Sequence, residues 1–129
     1  MPDAHYSEIR YVEHKSGLGD HGRAWIARVR FSKSGRTVYF ADKALKREQG
    51  ISGNHVDLVT GDEYWVSGVK RDGLDRHSAG GGEVLIERSA VATYLVEVER
   101  SVLPAHLQVI DDLPEPDPSR FVDVENGRR

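Results

Sequence analysis

The chain has 129 residues, 38% hydrophobic and 30% charged, with 13 glycines, five prolines, no cysteine and a formal net charge of −3. That length suits one domain able to bury a core unaided by metal or disulfide, and without cysteine there is no disulfide framework, thiolate nucleophile or Cys-type zinc site. No apolar run approaches the roughly 18 residues of a membrane span, and the opening MPDAHYSEIRYVEH shows no secretory signal, so a cytoplasmic chain with no membrane contact is expected.

In chain order, residues 6–14 read as a strand with apolar positions Tyr6, Ile9, Tyr11 and Val12, and the slip of phase between Ile9 and Val12 suggests a bulge. Residues 16–22 form a glycine-rich loop. Gly17, Gly19 and Gly22 match a Gly-x-Gly-x-x-Gly pattern, but a dinucleotide fingerprint needs a helix after the loop, and residues 25–31 alternate as a strand. Residues 24–32 and 37–41 make the clearest hairpin. Pairing Ser32 with Thr37 sets Val29 opposite Phe40 and Phe31 opposite Val38, so Trp25, Val29, Phe31, Val38 and Phe40 face a core. Arg28, Arg30 and Tyr39 face the other way, as a solvated outer face or as a basic, aromatic surface for nucleic acid.

Residues 42–49 suggest a single helical turn. The next segment, 50–77, is dense in glycine, histidine and aspartate. A three-residue turn over 59–61 places Val56 and Leu58 with Tyr64 and Val66 in the core. His55, Asp57, Glu63 and Trp65 then share a polar face that holds an indole, a candidate surface for a protein partner. Residues 70–73 and 78–82 are turn and loop signals, and 84–86 a short strand. From Ser89, a plausible N-cap, Val91, Tyr94, Leu95, Val98 and Val102 fall at helical spacing until Pro104, with a β-branched strand over 93–98 as the rival reading.

Beyond Pro104 the runs LPEPDPSR and VENGRR are rich in proline and acid, the composition of a disordered tail. The expectation is therefore a compact β-rich domain over 1–103 and a disordered tail over 104–129. The domain would be mainly β (α+β), a small antiparallel sheet or SH3-like barrel with one C-terminal helix.

Charge divides the chain in the same way. Of 21 acids and 18 bases, residues 104–129 hold six acids (Asp111, Asp112, Glu115, Asp117, Asp123, Glu125) and three bases, leaving 15 of each in 1–103. Residues 23–47 carry eight bases and the single acid Asp42. Such a local excess attracts polyanions even on an acidic protein. Arg28, Arg30, Lys33, Arg36, Tyr39 and Lys43 are accordingly the candidate contacts for RNA or DNA, and the acidic tail can fold back to compete for them.

Against an enzyme stands the lack of a recognisable nucleophile, cofactor loop or metal pattern. No cofactor and no metal is expected. The enzymatic alternative is metal-assisted hydrolysis at His55, Asp57 and His77, although the spacings of His55-x-Asp57 and Asp72-x-x-Asp75-x-His77 match no standard zinc or calcium pattern. Nothing in the sequence sets the oligomeric state.

The runs Trp-Ile-x-Arg-Val-x-Phe-Ser-Lys-Ser-Gly-Arg (residues 25–36) and Tyr-Trp-x-Ser-Gly (residues 64–68) resemble a family of small uncharacterised bacterial proteins, and the likeness covers most of residues 10–77. Some members of that family carry the label deoxyxylulose-phosphate synthase, a thiamine-diphosphate enzyme several times longer. Sites of that kind need large α/β domains, which this chain does not supply, so the resemblance implies a domain and no catalytic residue.

Overall fold

The computed structural model describes residues 7–15, 23–51, 53–70 and 84–122. Their strands are β1 (Ser7–Lys15), β2 (Ala24–Phe31), β3 (Thr37–Phe40), β4 (Lys43–Arg47), β5 (His55–Asp57), β6 (Glu63–Ser67), β7 (Val84–Glu87) and β8 (Leu107–Ile110). β1, β6, β5, β4, β3 and β2 are neighbours in that order, every pair antiparallel, and β2 returns to β1 to close a six-stranded barrel. β7 and β8 extend the sheet from β2 with parallel pairing. A parallel pair needs a crossover, and it is supplied by a 3-10 turn, Arg88–Ala90, and the helix α1, Val91–Glu97. The fold is mainly β, a small SH3-like barrel with two added strands and one short helix among the described residues.

Alternation places the barrel core. Val12, Ala27, Val29, Phe31, Val38, Phe40, Leu45, Tyr64 and Val66 are buried together, and Trp25 packs against them with its ring 5.1 Å from that of Phe40. The expected β2–β3 register is present, with Arg30 opposite Tyr39 and Phe31 opposite Val38. A second cluster lies outside the wall, where Ile9, Tyr11, Ala24 and Ile26 meet Ile86, Ala90, Tyr94 and Val98. It accounts for the phase slip in β1. Pairing with β2 is continuous from Ser7 to Glu13, so the strand is buried on both faces and carries no bulge.

Three further expectations are corrected. Residues 43–47 form β4 instead of a helical turn. The helix ends early, because Glu99 turns left-handed (φ 57°) while the Glu99 and Arg100 amides donate to Val96 and Leu95. Ser89 does not cap it; its amide donates to Asp112 Oδ1 (2.9 Å).

The boundary at residue 103 moves as well. Residues 104–122, expected as disordered tail, supply β8 and then a segment capped by Asp117 and ending in a 3-10 turn, Pro118–Phe121. Residues 123–129 lie outside the described residues, as do the glycine loop at 16–22 and the segment with Asp72, Asp75 and His77.

Candidate functional site

The second edge of β2 is divided between two partners. Residues 24–26 pair with β7, and Arg30 and Phe31 pair with β3. At the fork between them the Arg28 amide donates to Glu87 Oε1 (2.8 Å), and Glu87 Oε2 accepts from the Leu113 amide (2.8 Å). Glu87 is buried, so one carboxylate satisfies two backbone donors and anchors the chain that leaves β8.

From that anchor the acidic segment crosses the outer face of the basic hairpin. Arg28 Nη2 lies 3.3 Å from Glu115 Oε1 and 4.0 Å from Asp112 Oδ2. Arg30 adds to the field that, after the hydrogen bonds from Ser119, holds the Asp117 carboxyl below the usual carboxylate range. Phe121 is buried against Tyr39 and Ala44, with the Phe121 and Tyr39 rings 6.1 Å apart. The alternation was therefore read correctly, since Arg28, Arg30 and Tyr39 share one face. That face is covered, and Tyr39 is only 2% exposed.

Other cations of the hairpin are open to solvent. Lys33 and Arg36 are exposed on the turn, which Gly35 (φ 78°) closes with its amide on the Ser32 carbonyl. Register brings two more beside them: the Arg47 amide donates to the Arg36 carbonyl (2.7 Å), and Lys46 is opposite Thr37. None of these four makes an ion pair among the described residues. Lys43 does not belong with them. It lies opposite Phe40, at the end of β4 away from the β2–β3 turn, is half-buried, and its Nζ is 3.6 Å from Asp42. Lys46 and Arg47 were missing from the sequence-based set, though the charge run contained them.

The second candidate face is not assembled as expected. His55 is opposite Tyr64 and Val56 opposite Glu63, one residue away from the expected register. The cause is the turn. Asp57 Oδ1 accepts from the amides of Val59 (2.7 Å) and Thr60 (3.2 Å), Gly61 at φ 82° donates to the Asp57 carbonyl, and the Asp57 amide donates to the Asp62 carbonyl, so the loop between Asp57 and Asp62 holds four residues, 58–61, instead of three. A one-residue slip inverts a strand. His55 and Asp57 are thus buried with Tyr64 and Val66, while Val56, Glu63 and Trp65 face outward.

Each of these polar groups is occupied. Glu63 accepts from the amides of Gly53 (2.8 Å) and Ile51 (3.2 Å), Trp65 packs half-buried on the helix-side cluster, and His55 Nδ1 is 2.8 Å from Asn54 Oδ1. Burial, then the Arg47 charge, lowers the His55 pKa to about 4. On the other side of Tyr64, His14 stacks on the phenol ring (4.8 Å), its Nε2 3.2 Å from Asp62 Oδ2. Burial, followed by Asp57, Asp62 and Asp42, raises the Tyr64 phenol to about 12. Of the set drawn for metal-assisted hydrolysis, His55 and Asp57 are buried and Asp57 is committed to its turn, while His77 lies outside the described residues.

Sequence reading also missed a buried ion pair on β1. Glu13 accepts from Tyr11 Oη (2.6 Å) and Lys15 Nζ (3.1 Å), and both charged side chains are enclosed. No described helix is long and apolar enough to cross a membrane. Comparison with protein-family models, with curated proteins and with solved structures finds no match to this chain.

Proposed function

We propose that the barrel is a binding module for single-stranded nucleic acid, RNA or DNA, and that it contacts phosphates through Lys33, Arg36, Lys46 and Arg47. One observation carries the reading: strand register gathers four exposed cations around the β2–β3 turn and the end of β4, with no carboxylate paired to any of them among the described residues. Arg28, Arg30 and Tyr39 continue the same hairpin beneath the acidic segment. Guanidinium and ammonium groups on a sheet face, with an aromatic ring nearby, suit a charged backbone carrying bases that stack. The same reading extends to the bacterial family that shares the Trp-Ile-x-Arg-Val-x-Phe-Ser-Lys-Ser-Gly-Arg run.

Salt dependence tests it. Four phosphate contacts to a single strand give a slope of log K against log salt of about −3, and each of Arg36→Ala, Lys46→Ala and Arg47→Ala lowers that slope by about 0.7. Fluorescence anisotropy with a labelled oligonucleotide reads both. Binding that ignores salt and these substitutions would contradict the proposal and favour a protein-interaction module built around Trp65.

A further inference from the structure

Residues 111–122 make a particular set of contacts. The Glu115 carboxylate meets the Arg28 guanidinium (3.3 Å), while Asp112, ahead of the anchor and held by the Ser89 amide, stays 4.0 Å from it; an aromatic ring, Phe121, packs on the Tyr39 ring. On the nucleic-acid reading, phosphates would meet the guanidinium and a base would lie on the phenol. We infer that residues 114–122 are an internal competitor, a strap that mimics a single strand on this face and must be displaced for the full site to bind. This inference rests on the proposed function and adds to it a regulation of the same surface.

Two features suit displacement. The strap is fixed at its start by the buried Glu87 carboxylate on the Leu113 amide, whereas beyond that point it joins no strand. Its ion pair to Arg28 is also half exposed, with Glu115 at 69%, and exposed pairs of this kind are weak and screened by salt. The strap leaves the Arg28 site incompletely satisfied, since Arg28 Nε is buried without a hydrogen-bond acceptor among the described residues. A polyanion arriving at Lys33, Arg36, Lys46 and Arg47 therefore reaches Arg28 and Tyr39 by exchanging with groups of like chemistry. The closed strap reduces apparent affinity by the fraction of molecules in which the face is covered.

The test uses the full chain. Phe121→Ala/Glu115→Gln removes the ring and the charge but leaves the Glu87 anchor, and amide exchange across β2 and β3 checks that the barrel is intact. A single-stranded oligonucleotide is titrated by anisotropy at low salt. The variant is expected to bind about tenfold tighter than the unaltered protein, and adding Tyr39→Leu, which keeps the face apolar without a stacking ring, should remove most of that gain. Unchanged affinity in the variant, with the unaltered protein binding, would overturn the strap and leave the basic face as the site. Binding by neither protein would overturn both readings.

Discussion

Phe121 packs its ring against Tyr39, 6.1 Å between centroids, and so joins the end of the described chain to the outer wall of the barrel. Phe121 is buried with Tyr39 and Ala44, in a cluster separate from the barrel core. Its loss should therefore act locally. Phe121→Ala is expected to destabilise the strap by about 2 kcal/mol. Amide exchange at Arg120, bonded to the Asp117 carbonyl, should then quicken while that at Leu113 stays slow. Equal loss of protection at both would show that the strap and its anchor open together.

Glu87 carries the opposite expectation, a cost to the whole fold. Glu87→Ala leaves the Arg28 and Leu113 amides without their acceptor at a buried fork in the sheet. Denaturant unfolding should show a loss of about 2–4 kcal/mol, whereas Glu115→Gln, at an exposed position, should cost under about 1 kcal/mol.

Gly53 is fixed by a close approach. A Cβ there would run into the backbone carbonyl oxygen of Tyr64, which already accepts from the Asn54 amide. Gly53→Ala is expected to cost about 1–3 kcal/mol. Gly68→Ala, where a Cβ meets nothing within 4 Å, serves as the comparison and should unfold almost as the original does.

How much of this was legible depends on where the information lay. The β2–β3 register was, because alternation over Trp25, Val29 and Phe31 fixes which face is inside. The β5–β6 register was not, because one carboxylate, that of Asp57, lengthens the turn and so inverts His55 and Asp57, and alternation records no loop length. The cover over Tyr39 was hidden for another reason. Composition marks residues 113–120 as polar and proline-rich, yet their placement depends on a distant ring contact and on Glu87, and neither leaves a local pattern.

The depressed His55 pKa makes stability depend on pH. The folded value is about 4, from a reference of 6.5, so below pH 6.5 the unfolded chain binds a proton that the folded chain refuses. Stability from this group is complete above pH 6.5 and is lost as pH falls towards 4, by about 2 kcal/mol between pH 7 and 5. Thermal melts over that range should show the fall, and His55→Gln should flatten it. An identical slope in the variant would assign the effect to other groups.

The basic hairpin as the binding face is the central claim, and mapping amide chemical shifts while single-stranded RNA is titrated into the full-length protein tests it most directly. Residues 33–37, 46 and 47 are expected to shift first, followed by Arg28 and Tyr39 as the resonances of residues 115–122 move towards random-coil positions. Shifts confined to the surroundings of Trp65 and Glu63, with residues 33–47 unmoved, would contradict the account.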